Sequence, residues 1–263
     1  RAVAEATRLL AAAHSARDPG AFRPRHVEGV VWAWGKLRFK HRALLEATAR
    51  GILLRLDEHS ARGLAGILYA LGLLKHRDGP LLAGLCDALP GKAAELDSQG
   101  VANIAYGLAL LRFRHAPALL ALCDRASASL NGFRAQEVSI LLHSCGVLRF
   151  RHQPLLAEAG VQVPPRLGEF SAQGIANAVY GLGLLRARET PLLEAMCAYS
   201  APRLGGFTAQ GLANTAYGLG LLRFRSAALV PALCAHVPSR AAELEALHIC
   251  NAAFALVCMG FRP

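Results

Sequence analysis

The sequence predicts an all-α protein, an α-solenoid of stacked helical hairpins with a 37-residue period. The first observation behind this is self-similarity. Segments starting at Phe170 and Phe207 read FSAQGIANAVYGLGLLRAR and FTAQGLANTAYGLGLLRFR, and the same phase recurs at Phe22, His59, Leu96, Phe133 and Leu244 with no insertion or deletion. A fixed period between about 20 and 50 residues marks an array of stacked units. The second is composition: 54% hydrophobic but 6% aromatic, with 25 Gly and a mean hydropathy of +0.31. Such a chain buries most of itself, which excludes disorder. The third is punctuation, because Ser60, Asp97, Ser171 and Thr208 recur at one phase as helix N-cap candidates. Pro80, Pro117, Pro154 and Pro191 recur at another, where a second helix opens and the missing N–H costs nothing.

Taken in chain order, residues 1–21 are expected to be the second helix and closing turn of a preceding unit. Six hairpins follow, over 22–58, 59–95, 96–132, 133–169, 170–206 and 207–243, and residues 244–263 form the first helix of a seventh. Each first helix runs from about the third position of its unit to the Leu pair. Each second helix carries a Leu pair or a similar one and then, in four units, Cys86, Cys123, Cys197 or Cys234 at a shared position, read as small buried hydrophobes rather than ligands or nucleophiles. Pro90-Gly91, Asn131-Gly132 and Gly205-Gly206 close their units. A short helix of this composition cannot bury its apolar stripe alone, whereas stacked neighbours share one continuous core. Glycine inside a helix costs ~1 kcal/mol against alanine. The recurrence of Gly107, Gly181 and Gly218, with Ala102, Ala176 and Ala213, therefore predicts close helix approach.

Leu204 to Leu222 is 19 residues without a charge, close to the ~20 needed to cross a bilayer. Its opening Gly205-Gly206 pair and the interspersed Gln210, Gly211, Asn214, Gly218 and Gly220 make it buried protein instead, and no membrane is expected. Twenty-nine basic against 18 acidic residues leave a net charge of +11, and an acidic partner is expected. The seven cysteines make no C-x-x-C pair, which argues against a disulfide framework or a zinc ribbon.

The pattern AQGLANTAYGLGLLRFR, with the spacing Gln99, Asn103, Tyr106 repeated at Gln173, Asn177, Tyr180 and at Gln210, Asn214, Tyr217, resembles the octotricopeptide repeat proteins. Their heptatricopeptide and FAST-kinase-like relatives of organelles are similar. The resemblance covers almost all of the chain. It implies an α-solenoid that binds RNA in mitochondria or plastids, acting in transcript maturation, stability, translation or ribosome assembly. No RAP-type nuclease-like domain follows in this sequence, so the catalytic role of some relatives is not carried over.

Two basic columns end the first helices. One is Arg38, Lys75, Arg112, Arg149, Arg186 and Arg223; the other, two residues on, is Lys40, Arg77, Arg114, Arg151, Arg188, Arg225 and Arg262. Stacking would align them as an RNA-binding ridge without an acidic residue. One column alone can be explained by cations satisfying helix C-termini, worth ~0.3–1 kcal/mol each. Two crowded columns repel unless a polyanion neutralises them, and arginine is the better bidentate phosphate ligand. His41, His115 and His152 stand next to the second column and would add charge at low pH. Gln210, Asn214 and Tyr217, and the two equivalent triplets, share one helix face. They either contact bases or form a ladder in which Asn bonds the neighbouring turn and Tyr packs as core. Their near constancy between units argues against reading of sequence. Phe39, Phe113, Phe150, Phe224 and Phe261 are expected to turn inward under the next helix.

No G-x-S-x-G, Walker loop or H-E-x-x-H occurs, and acids form no recurring close pair, so the protein is expected to be non-enzymatic, without cofactor, catalytic residue or metal. The expected partner is RNA held by its backbone, with ribosomal RNA of a mitochondrial ribosome first. The alternatives are a transcript-specific organellar stability or translation factor, plastid instead of mitochondrion, and a scaffold for an acidic protein. The apolar helix over 244–263, with Ile249, Phe254 and Val257, is expected to dock on a protein partner or on a continuation of the same chain.

Overall fold

The computed structural model describes residues 23–259; the expected helix over 1–21 and the residues Gly260, Phe261, Arg262 and Pro263 lie outside the described residues. The fold is all-α, an α-solenoid of alternating first and second helices. The first helices are α1 (Pro24–Leu37), α3 (Ala61–Leu73), α5 (Ser98–Leu111), α7 (Ala135–Val147), α9 (Ala172–Leu185), α11 (Ala209–Leu222) and α13 (Ala246–Cys258). The second helices are α2 (Arg42–Leu54), α4 (Gly79–Lys92), α6 (Ala116–Ser127), α8 (Gln153–Gln162), α10 (Thr190–Ser200) and α12 (Leu229–Ser239). A short 3₁₀ turn follows each second helix, from Leu56–Glu58 to Ala241–Glu243.

The chain divides into two compact units, residues 1–125 and 126–263. In the first, α1, α3 and α5 lie side by side, with α2 and α4 packed on each other behind them. In the second, α7, α9, α11 and α13 form the front row, and α8, α10 and α12 the row behind. The core of each unit lies between its rows: Leu64, Ile67, Leu68, Leu82 and Leu85 in the first, Val179, Leu182, Leu192, Leu193, Leu219 and Leu233 in the second, all buried.

The expected caps form. Ser60 Oγ accepts from the Gly63 N–H at 3.0 Å, Asp97 Oδ1 from Gly100 at 2.6 Å, Ser171 Oγ from Gly174 at 3.1 Å and Thr208 Oγ1 from Gly211 at 3.0 Å. Each satisfies one of the N–H groups that the first turn leaves without an intrahelical partner. Pro80, Pro117, Pro154 and Pro191 fall at the second helical position rather than the first, still inside that turn.

Front-row helices meet backbone to backbone at their small residues. A Cβ on Gly146 would lie 2.6 Å from the Gly181 Cα, one on Gly183 2.5 Å from the Gly218 Cα, and one on Gly72 2.7 Å from the Gly107 Cα. Nothing larger than hydrogen fits there, so the helix-propensity cost of these glycines is offset by contact. The stretch Leu204 to Leu222 is not one helix: it runs from a 3₁₀ turn through Phe207 into α11, and Leu204, Phe207 and Leu212 are buried. Among the described residues no helix is long and apolar enough to cross a membrane.

Cys86, Cys123 and Cys197 are buried as expected, while Cys234 is half-buried. Burial pushes the Cys86 thiol up to about 12 and the Cys197 thiol to about 11, which keeps both protonated and poor as ligands or nucleophiles.

Candidate nucleic-acid interface

The candidate interface is built from the way each front-row helix stops. In α5, the Arg112 N–H bonds the Ala109 carbonyl and the Phe113 N–H the Leu108 carbonyl, the paired bonds of a Schellman end. The residue that makes the first of these bonds must enter the left-handed region, where glycine usually stands. Here it is a cation every time: Arg38 (φ 52°), Lys75 (48°), Arg112 (48°), Arg149 (50°), Arg186 (51°) and Arg223 (49°). A left-handed L-residue costs roughly 1–2 kcal/mol, against ~0.3–1 kcal/mol from a cation on the helix dipole. Capping electrostatics alone does not recover that cost, and the last carbonyls are already satisfied by the backbone.

All six, and the second column Lys40, Arg77, Arg114, Arg151, Arg188 and Arg225, are exposed. In each unit they stand at the ends of adjacent helices: Arg38, Lys75 and Arg112 with Lys40, Arg77 and Arg114 in the first, Arg149, Arg186 and Arg223 with Arg151, Arg188 and Arg225 in the second. Lys40 Nζ donates to the Lys75 carbonyl at 3.2 Å, Arg151 to Gln153 Oε1 at 3.2 Å, and the Arg188 guanidinium lies 5.7 Å from the centre of the Phe224 ring. Among the described residues none of the twelve forms an ion pair. Arg262 lies outside the described residues.

A third set of cations shows what a structural arginine looks like in this fold. At the end of the second helices, Arg55 grips Glu58 at 2.6 Å, Arg166 grips Glu169 at 2.8 Å and Arg240 grips Glu243 at 2.5 Å. Arg166 and Arg240 also donate to the Phe133 and Phe207 carbonyls at 2.7 and 2.6 Å, stapling one period to the one before. These guanidiniums hold their glutamates below the usual carboxylate range through hydrogen bonds. The sequence reading missed this set, although the recurrence of Arg or Lys three residues before Glu was visible in it.

Two of the three histidines beside the second column, His115 and His152, have a capping role that was not expected, whereas the His41 side chain caps nothing. His115 Nδ1 accepts from the Ala118 N–H at 3.4 Å and His152 Nδ1 from the Leu155 N–H at 3.2 Å, so both cap second helices and must keep Nδ1 unprotonated to do so. His152 is buried, and His115 Nε2 lies 3.1 Å from Asp87. The phenylalanines follow the inward expectation unevenly: Phe224 is buried, Phe113 and Phe150 are half-buried with their rings stacked on His115 and His152, and Phe39 stays exposed. Phe261 lies outside the described residues.

The Gln, Asn and Tyr stripe lies on the front face of the helix rows. Gln99, Gln173 and Gln210 are exposed, while Asn103, Asn177, Asn214, Tyr106, Tyr180 and Tyr217 are half-buried. Among the described residues the six amides make no hydrogen bond, and Tyr is not core. The tyrosines pile up instead. In the first unit Tyr69 and Tyr106 lie 6.2 Å apart, with Lys36 Nζ between Trp32 and Tyr69 at 5.5 and 5.1 Å from their rings. In the second, His143, Tyr180, Tyr217 and Phe254 follow at 5.9, 6.0 and 6.1 Å. Burial lowers the His143 pKa, so its ring enters the pile uncharged near neutrality. Among the described residues no three His, Cys, Asp or Glu side chains come together as a metal site.

Fold and surface together define a helical-repeat protein with rows of unpaired cations beside an amide and aromatic face. The model of the RNA-editing substrate-binding complex 6 protein family matches residues 17–153, just over half of the chain, and the chain belongs to that family. The match is to this family and not to the octotricopeptide or heptatricopeptide proteins specifically; a helical protein of RNA biology is common ground. No curated protein matches the chain.

Proposed function

We propose that this chain is a non-enzymatic RNA-binding subunit of an organellar ribonucleoprotein, holding single-stranded RNA by its phosphates along the cation rows of each unit. The observation that carries this is the contrast between cations. Those that hold the fold together are matched by glutamates, whereas the twelve at the front-helix ends are exposed, lack a carboxylate and in six cases occupy left-handed backbone. The family name, with its RNA-editing substrates, supports RNA as the polyanion. Ribosomal RNA and the mitochondrion are the finer part of the proposal, and RNA recovered by crosslinking from the native complex and sequenced decides between ribosomal and editing-substrate RNA. The parse into six hairpins between 22 and 243 belongs to the same reading.

If Z ridge cations contact phosphates, log affinity falls against log salt with a slope of ~−0.7Z. Replacing Arg149, Arg186, Arg223 and Arg225 with Gln is expected to flatten that slope while the circular dichroism stays helical. A slope that does not change overturns the reading.

A protein partner is proposed at α13, where Phe254 is 51% and Val257 73% exposed. Val257→Asp is expected to leave the chain folded and release it from its native complex on size exclusion. Unchanged co-elution would sink the assignment.

A further inference from the structure

Among α1, α3 and α5 of the first unit lies a hollow of about 400 Å³, within the range of small-ligand sites. Two glycines open it. At the eighth position of the period α5, α9, α11 and α13 carry Asn103, Asn177, Asn214 and Asn251, while α1 and α3 carry Gly29 and Gly66. Packing does not require them, unlike Gly107 or Gly181. A Cβ on Gly29 would meet nothing within 4 Å, and one on Gly66 only Trp32 Cδ1 at 3.9 Å. Each costs its helix ~1 kcal/mol against alanine. What the substitution of glycine creates is space.

The lining of that space is specific. Trp32, a large aromatic side chain that a core would normally cover, is 48% exposed. Arg25 and Arg62 are exposed lining residues, and among the described residues Arg62 makes no hydrogen bond or ion pair. Gln99 and Asn103 add amides without a partner. The carboxylates of Glu28, bonded to His59 at 2.9 Å, and Asp97, bonded to Gly100, also line it. They accept from an amino group and repel a phosphate, so a phosphate is confined to the Arg25 and Arg62 edge.

We infer that this hollow is a nucleobase pocket, taking one unstacked, amino-bearing base of the bound strand, adenine before uracil, against Trp32. The inference rests on the RNA-binding reading and gives it a base contact. Aromatic stacking of single bases is the usual means of holding a single strand, and Asn and Gln amides pair bidentately with adenine. Uracil has no exocyclic amine to offer the carboxylates. The polar front face then acts on sequence at one place, where the amides surround a void.

The experiment uses Trp34→Phe protein, in which Trp32 is the sole tryptophan, titrated with short oligoadenylate and oligouridylate while fluorescence quenching and anisotropy are read. Oligoadenylate is expected to quench saturably and bind ~10-fold tighter than oligouridylate. Gly29→Leu, whose Cβ would meet nothing within 4 Å and whose side chain would take up space in the hollow, and Trp32→Ala, followed by anisotropy alone, are expected to erase that preference and leave the salt slope intact. The four-Arg ridge variant is expected to do the reverse. Equal binding of both oligomers, or indifference to Gly29→Leu and Trp32→Ala, overturns the pocket and leaves the ridge standing. A preference that survives a ridge variant with unchanged slope sinks the ridge and leaves the pocket.

Discussion

Arginine at φ near 50° is a choice that glycine would improve on if stability were the only demand. Replacing Arg186 and Arg223 with Gly removes two left-handed L-residues, and the Schellman bonds are made by backbone that glycine keeps. Each change is expected to stabilise the fold by ~1 kcal/mol, raising the thermal midpoint, while RNA affinity falls and its salt slope shrinks by ~0.7 per lost contact. A lowered midpoint would mean that these side chains support the helix ends after all. The columns themselves were legible from sequence because both recur at one phase. Their backbone conformation was not, since residue type argues against it: nothing about Arg suggests the left-handed region until the paired carbonyl bonds are seen. The histidines misled for a related reason. Their neighbourhood in sequence is basic, but Nδ1 of His115 and His152 faces a helix N-terminus, where an acceptor is wanted.

At the scale of helices, glycines of one type divide into those that contact requires and those it does not. Gly181 sits where a Cβ would run into the Leu142 carbonyl, and Gly160 in α8 where it would meet nothing within 4 Å. Gly181→Ala is expected to destabilise by about 1–3 kcal/mol through overpacking, whatever it gains in propensity. Gly160→Ala is expected to stabilise by up to ~1 kcal/mol. Chemical denaturation of the two variants checks this, and equal signs would show that front-row contact is looser than the backbone distances state. Close approach was readable from sequence as recurrence of Gly at a helix interior. The caps of the front helices were readable too, since Ser, Asp and Thr at one phase have a single mechanism. The spacing of Arg and Glu at the ends of the second helices recurs visibly, but the staples that these arginines make were not readable, because they join residues 33 apart through backbone carbonyls that no residue type advertises.

For the whole molecule, the fold was legible because an unbroken period leaves no room for another architecture, and the cation rows on which the polyanion is proposed because charge accumulates on one side of each hairpin. The hollow beside Trp32 was not, for it arises where Gly replaces Asn, a loss of side chain that reads from sequence as mere variation. The family match covers residues 17–125 of the unit that holds this hollow and the start of the next.

An unbroken period also makes the protein a ruler. Removing residues 170–206 joins Glu169 to Phe207, and Gly146, which now faces Gly181, would face Gly218 at the same small-residue contact. Thr208 would cap as Ser171 does. The shortened chain is expected to fold, melt cooperatively and cover a shorter stretch of RNA, with a salt slope smaller by ~0.7 for each phosphate contact removed. A deletion one residue shorter than the period puts every following side chain about 100° around its helix and is expected to precipitate. Should both deletions behave alike, the hairpins are not interchangeable graduations. If they differ, the number of hairpins, and on the RNA-binding reading the number of phosphates held, is set in whole steps by the gene and can be raised or cut back without redesigning a single contact.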